Sequence, residues 1–239
     1  IFSEWRYARH VVEPFTLPKT WPRHGGIDWG MRAPSAVIVA AQDQDDRLWV
    51  YDEVYAAGLG EQGLADEIKR VNGNDFVSYA FDPAMSSKIG DAMPVATVLQ
   101  IAGIALEPAE NDRLSGWARV HSYLKDGPIC RYHQALREQL DTETGKPKWD
   151  GDTCPMVHVF SSCTNLIRTL PALPYRKTGK LEDADTDSDD HAPDAFRYLV
   201  MKLGSTARPV IHDEPAPPKD TGYSVPPPPS STVGESPFV

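Results

Sequence analysis

Gly25-Gly26-Ile27-Asp28-Trp29-Gly30, Ala36-Val37-Ile38-Val39-Ala40-Ala41 and Leu48-Trp49-Val50-Tyr51-Asp52-Glu53-Val54-Tyr55 are the stretches that decide the fold. Each run has strand length and is rich in β-branched or aromatic residues. A short loop separates the first two, and the polar turn from Gln42 to Arg47 separates the last two. Turns of that length suit an antiparallel meander. A single carboxylate, Asp28, interrupts the first apolar run.

Past the meander the hydrophobic period changes. Leu64, Ile68 and Val71 recur at helical spacing between Gly60 and the Asn72-Gly73 stop. Phe76 to Phe81 reads as a fourth strand ending at Asp82-Pro83. Val95, Val98, Leu99 and Ala102 mark a second helix, and Ile104 to Leu106 a short strand. A third helix covers Arg113 to Lys125, with Leu114, Trp117, Val120, His121 and Leu124 on one face. Residues 127–156 are turn-rich and read as an excursion with a β-hairpin around Asp141 to Pro147. Val157 to Phe160 is a further strand, after which Ser161 or Ser162 caps a helix carrying Leu166, Ile167 and Leu170. The last helix runs from about Asp190 to Leu203, with Ala195, Phe196, Leu199, Val200 and Leu203 facing the core. The expected architecture is an α/β domain over residues 25–204, a mixed sheet of a three-strand antiparallel meander plus parallel strands, flanked by helices. Pro14, Pro18 and Pro22 make residues 1–24 a lead-in without regular structure, and Pro226 to Pro229 make 205–239 a disordered Pro-rich tail.

Composition narrows the class. At 41% hydrophobic and 9% aromatic the chain can build a core, and no apolar run approaches a membrane span. It starts at Ile1 with neither an initiating Met nor a signal pattern, as expected of a C-terminal piece of something larger. Cys130, Cys154 and Cys163 are odd in number and contain no C-x-x-C pair, which supports neither a disulfide framework nor a zinc ribbon and fits a reducing intracellular setting. Cys163 and the histidines other than His191 read as packing or surface residues. The net charge of −10 runs against a DNA partner, but seven acids lie between Glu182 and Asp194, and without them the balance is −3.

Three carboxylates stand out by position. Asp28 sits in an apolar strand, where a charge is costly unless paired or metal-bound; the alternative is a turn aspartate before Gly30. Asp82 ends a strand, as a catalytic residue or an Asp-Pro turn starter. Asp190-His191-Ala192-Pro193-Asp194-Ala195-Phe196-Arg197-Tyr198 opens the last helix, with Asp190 at the cap and Pro193 in the first turn. Asp190 and His191 lie four and three residues before Asp194, so all share one edge. A solvated acidic cap would look similar. Hard oxygen donors without a Cys partner select Mg²⁺ or Mn²⁺, and two such ions about 3.5–4 Å apart can clamp the attacking and leaving oxygens of a phosphodiester.

The strand carrying Gly-Ile-Asp-Trp-Gly, the strand ending in Asp-Pro-Ala and the helix opening with Asp-His-Ala-Pro-Asp-Ala-Phe-Arg-Tyr resemble, in that order, the C-terminal nuclease domain of the large terminase subunit of tailed bacteriophages, a ribonuclease H-like fold. Phe160 to Ile167 also resembles the segment preceding that family's final motif. The resemblance implies that Asp28 and Asp82 face each other on neighbouring strands, that Asp194 completes the metal site, and that Asp190 (accessory ligand) and His191 assist it. It implies a Mg²⁺- or Mn²⁺-dependent endodeoxyribonuclease cutting concatemeric viral DNA in the host cytoplasm. The implied partners are double-stranded DNA, the small terminase subunit and the portal of the procapsid, with no membrane. The family's packaging ATPase loop, G-x-x-x-x-G-K-[ST], is missing from this sequence, so residues 1–24 would be a linker from a motor domain. Expected DNA contacts are Lys146 and Lys148, whose turn resembles a hairpin of related nucleases, with Arg176 and Lys177. A resolvase- or transposase-like nuclease and a non-catalytic docking module are the alternatives; the second gives no reason for three separated aspartates.

Overall fold

The computed structural model describes residues 1–31, 33–88, 90–175 and 189–205. In chain order these form α1 (Tyr7–His10), β1 (Val11–Val12), β2 (Arg23–Asp28), β3 (Pro34–Gln42), β4 (Leu48–Ala57), α2 (Glu61–Asn72) and β5 (Val77–Phe81). A 3₁₀ turn (Pro83–Ser86) leads to α3 (Val95–Ile101), β6 (Ala105–Pro108), α4 (Arg113–Leu124), β7 (Asp126–Pro128) and α5 (Arg131–Arg137). β8 (Thr153–Pro155), β9 (Val157–Phe160), α6 (Thr164–Thr169) and α7 (His191–Ser205) complete the described order.

Seven strands join in one sheet in the order β1-β9-β4-β3-β2-β5-β6. β3 runs antiparallel to β2 and β4, while the other pairs in that sheet are parallel. The meander and the mixed sheet expected from the sequence are therefore present. β3 lies at the centre, and Ser35 to Ala41 are 0% exposed. Burial on both faces is why this strand reads as a continuous apolar run instead of an alternating one. Its Val37 and Val39 enter the core under α2 and α3, with Leu64, Ile68 and Leu99. Its Ala36, Ile38 and Ala40 enter the opposite core with Trp117 and Val120 of α4 and Phe196, Leu199 and Val200 of α7.

Gly26 sets how closely α7 approaches the sheet. A Cβ there would lie 1.8 Å from the carbonyl oxygen of Ala195, so the strand presents bare backbone to the helix. That seat brings the start of α7 against the ends of β2 and β5.

Three local expectations change. Residues 1–24 are not unstructured: α1 and β1 form, Val11 and Val12 pair with Val159 and Phe160, and Phe2 and Leu17 are buried in the core. The prolines there stop long elements but leave room for a two-residue edge strand. No serine caps α6; the Glu53 carboxylate of β4 accepts from the amides of Asn165 (2.7 Å) and Leu166 (3.0 Å). A charged acceptor from a neighbouring strand satisfies the orphan N–H groups that a local cap would otherwise take. The 127–156 excursion contains the seven-residue α5 and the β7–β8 ribbon, besides a small Leu140–Pro147 bridge where the hairpin was expected.

Candidate metal-dependent active site

β2 and β5 run parallel, with Ile27 opposite Phe81. Both of those side chains enter the α2–α3 core. Alternation along a strand then turns the next residues, Asp28 and Asp82, to the other face, where α7 lies. The amide of Asp82 still donates to Ile27 O at 3.3 Å, which ties the two strand ends together. Asp82 also accepts from the Ala84 amide at 2.9 Å, so it caps the following 3₁₀ turn. On the helix side, Asp194 N donates to Asp190 O at 2.7 Å, which puts Asp190 at the cap as its sequence position suggests.

The side chains interlock around these ends. His191 Nδ1 lies 2.8 Å from Asp28 Oδ2. Asp194 is held from two sides: Arg197 Nε donates to Oδ1 at 2.8 Å and Arg113 Nη1 to Oδ2 at 2.9 Å. Arg113 also approaches Asp190 at 3.7 Å. The Arg197 guanidinium is wholly buried between the rings of Tyr198 and Trp117, 4.4 and 5.2 Å away. It fixes the Asp194 carboxylate much as an outer-shell partner orients a ligand.

Charge is crowded here. Burial foremost, then the fields of Asp194 and Asp82, raises the Asp28 carboxyl against the opposing His191 hydrogen bond. Burial and neighbouring Asp194 push Asp190 up to about 7, with Arg113 opposing. The hydrogen bond to Asp28 raises His191. Buried carboxylates that hold protons, with further carboxylates beside them, are groups a divalent cation would serve.

Thus the structure gathers Asp28, Asp82, Asp190, His191 and Asp194 within one electrostatic neighbourhood. It does not draw their ligand atoms into a closed shell. Among the described residues, the group of His, Cys, Asp or Glu ligand atoms lying within 4.8 Å of one another is a different one: Cys130, His133, Cys154 and His158. Mutual repulsion, with His191, Arg113 and Arg197 taking up lone pairs, accounts for the wider spacing of the carboxylates. From the sequence, Cys130 and Cys154 gave no support for a zinc ribbon, and these histidines read as packing or surface residues. The signal that could have found them was the pair of short spacings, Cys130-x₂-His133 and Cys154-x₃-His158, 24 residues apart.

Lys146 and Lys148 are exposed in the excursion. Trp149 beside them packs against His133 (ring centroids 4.0 Å apart) and under Arg9 (4.7 Å), near β8 and α1, so the structure does not bring these lysines to the aspartates. Arg176 and Lys177 lie outside the described residues. A cavity of about 580 Å³ between α4 and the β3–β4 turn is lined by Ser115, Arg119 and Met156 among others, and by none of these carboxylates. No described helix is long and apolar enough to cross a membrane.

No protein-family model matches the chain, and no curated protein matches its sequence. Solved structures do match its shape. The nuclease domain of the P22 large terminase superposes with a TM-score of 0.61 at 16% identity, covering 85% of this chain and 91% of that one. The fold is that of a large-terminase nuclease domain. A large terminase from a thermophilic bacteriophage matches with a TM-score of 0.60 at 17% identity, over 83% of this chain. This chain spans 44% of that protein. A large terminase nuclease from the thermophilic phage G20c, crystallised with bound cobalt, matches at 0.51 and 12% identity over 83% of this chain and 95% of its own. The ribonuclease H-like fold expected from the sequence is therefore present.

Proposed function

We propose that the chain is a Mg²⁺- or Mn²⁺-dependent endonuclease that cuts double-stranded DNA during bacteriophage genome packaging. The observation that carries this reading is the convergence of carboxylates from three separate elements, β2, β5 and α7, at one end of the sheet. A solvated cap or a docking surface gives no reason to bury Asp190 and Asp194 (7% and 6% exposed) beside Asp28. The donors are carboxylate oxygens with one imidazole, a set that fits a hard divalent cation.

Asp28, Asp82 and Asp194 would hold the metal, with Asp190 as accessory ligand. The bound cations supply a lowered pKa for the attacking water and charge for the leaving oxygen. Arg197 and Arg113 keep the Asp194 carboxylate in one orientation through the reaction. His191 orients Asp28 through its Nδ1 contact. Asp190, held protonated by burial and by Asp194, would have to lose its proton to act as a ligand, so metal affinity should rise with pH. Lys146, Lys148, Arg176 and Lys177 are proposed to meet DNA phosphates outside the cutting centre. By the same resemblance, the small terminase subunit and the portal are proposed partners, and the host cytoplasm the place of action.

The test is plasmid cutting by the purified chain. Mn²⁺ or Mg²⁺ should support nicking and linearisation without marked sequence preference, and EDTA should abolish both. Asp28→Ala, Asp82→Ala and Asp194→Ala should each remain folded and stop cutting. Cutting at the unsubstituted rate by any of the three would break the site assignment.

A further inference from the structure

We propose that Cys130, His133, Cys154 and His158 form a second, structural metal centre that takes Zn²⁺ in a Cys₂His₂ tetrahedron and fastens the 129–156 excursion to the sheet. The four ligand atoms lie within 4.8 Å of one another, and all four residues are buried (4%, 2%, 0% and 0% exposed). Cys130 Sγ is 3.1 Å from His133 Nδ1. Zinc bonds of ~2.3 Å to sulfur and ~2.0–2.1 Å to nitrogen put tetrahedral ligand atoms roughly 3.3–3.8 Å apart, so closing this group on an ion takes only small side-chain shifts.

The elements converge as such a site needs. Cys130 caps α5 and His133 lies in it, Cys154 is the middle residue of β8, and His158 lies in β9. One short pair, C-x₂-H, spans the start of α5, and the other, C-x₃-H, spans the β8–β9 junction, so each presents two ligands at a time. Around them Trp149 packs on His133 at 4.0 Å and Trp49 on His158 at 4.4 Å between centroids, aromatic walls that exclude water.

Simple packing explains the cluster poorly. Neither ring nitrogen of His158 has a hydrogen-bond partner among the described residues, although the side chain is entirely buried. A buried polar group left unsatisfied is costly; a metal bond to either nitrogen removes half of that burden. The Cys130 amide already donates to Cys154 Sγ at 3.2 Å, a contact that also stabilises a metal-bound thiolate. On loading, two thiol protons leave to solvent and one Zn²⁺ enters, so the buried centre carries no net charge. The nearby Arg47 is not left to repel it, because it donates to Pro155 O at 2.9 Å and Pro128 O at 2.6 Å and faces Asp43 at 3.6 Å.

The fold also has a use for the ion. β7 and β8 have three residues each and α5 seven, so the excursion has little core of its own, a setting in which a metal staple replaces apolar burial. His158 pairs with Trp49 near the start of β4, whereas Asp28 pairs with Ala36 near the far end of β3. At ~3.3 Å per residue the two centres are on the order of 20 Å apart along the strands. Sulfur and imidazole donors at one and carboxylates at the other keep zinc and magnesium chemistry apart.

Metal analysis of the whole chain, expressed with zinc in the medium and purified without chelator, tests the proposal. About one zinc per chain should survive dialysis, and replacing it with Co²⁺ should give the intense visible absorption of tetrahedral thiolate coordination. Cys154→Ser and His158→Ala should lower retained zinc by at least about tenfold, while Asp28→Ala leaves it unchanged. Because those variants could fail to fold, the cobalt spectrum of the unsubstituted chain is decisive by itself. Absent zinc together with no tetrahedral cobalt spectrum would overturn the proposal, and so would a Cys130–Cys154 disulfide in protein prepared under reducing conditions. Neither outcome bears on DNA cutting, which uses the other centre.

Discussion

Gly26→Ala probes how β2 and α7 together hold the carboxylates. The added methyl would sit 1.8 Å from Ala195 O and 2.9 Å from Leu199 N, both backbone atoms of α7 that cannot swing aside. Ordinary contact needs about 3.4 Å or more, so the helix or the strand must retreat by roughly 1.5 Å. Ile27, Ala195 and Leu199 are 0% exposed, which leaves no free space to absorb the shift. Overpacking of this kind costs typically ~1–3 kcal/mol, and two opposed backbones put this case at ~3 kcal/mol or beyond. The same retreat moves Asp190 and Asp194 away from Asp28 and Asp82, and a ~1 Å misplacement of reacting groups lowers a rate by about 10²-fold. Urea unfolding gives the first quantity. Initial rates of plasmid nicking in Mn²⁺, normalised to folded protein, give the second. Gly63→Ala is the control: its Cβ meets only Leu59 Cδ2 at 3.5 Å, within α2, so it should add ~0.5–1 kcal/mol of stability and leave the rate alone. A Gly26→Ala protein within about 0.5 kcal/mol of the unsubstituted one, cutting at the same rate, would refute this account of how α7 is seated.

Other consequences concern charge. Asp190 titrates near 7 in the folded chain against an ordinary value of 3.8, and Asp28 and His191 are also raised, so the folded state holds extra protons in that interval. Metal-free stability should therefore fall as pH rises from about 4 through 7, by at most ~4 kcal/mol from Asp190; urea melts in EDTA that rise across this interval would contradict it, and Asp190→Asn should flatten the fall. Arg197→Met strips the buried partner from Asp194 and should cost ~3–5 kcal/mol, read by the same melts, with cutting lost beyond what unfolding explains. Charge reversal at Lys146 and Lys148 should weaken DNA binding and reduce the salt slope by about 2; an unchanged slope would remove these residues from the interface.

Where local pattern and tertiary demand agreed, the sequence was readable. The meander, the fourth strand and the last helix each carry an apolar pattern that matches what they bury, on both faces for β3, and three aspartates interrupt that pattern at places where charge is costly. Asp190 at the cap of α7 follows from helix capping, whereas Asp28 beside Asp82 was implied by the family resemblance and rests on the β2–β5 pairing. What escaped notice depended on partners far along the chain. β1 has two residues and exists because β9 offers an edge to it. The cap of α6 comes from Glu53, more than a hundred residues earlier. Arg113 and Arg197 look like ordinary helix cations until folding places them on both oxygens of Asp194. The Cys/His group lies across an excursion with no periodicity, and only the fold brings its two short motifs together.

The ends of β2, β5 and α7 are proposed to hold the divalent cation that supports DNA cutting. Anomalous diffraction from a crystal soaked in Mn²⁺ tests it most directly. The account predicts a manganese peak bounded by the carboxylates of Asp28, Asp82 and Asp194, with Asp190 drawn in and the peak lost in Asp82→Asn. Manganese bound elsewhere, with those carboxylates left in their ion pairs to His191, Arg113 and Arg197 while the same protein still cuts DNA, would contradict it.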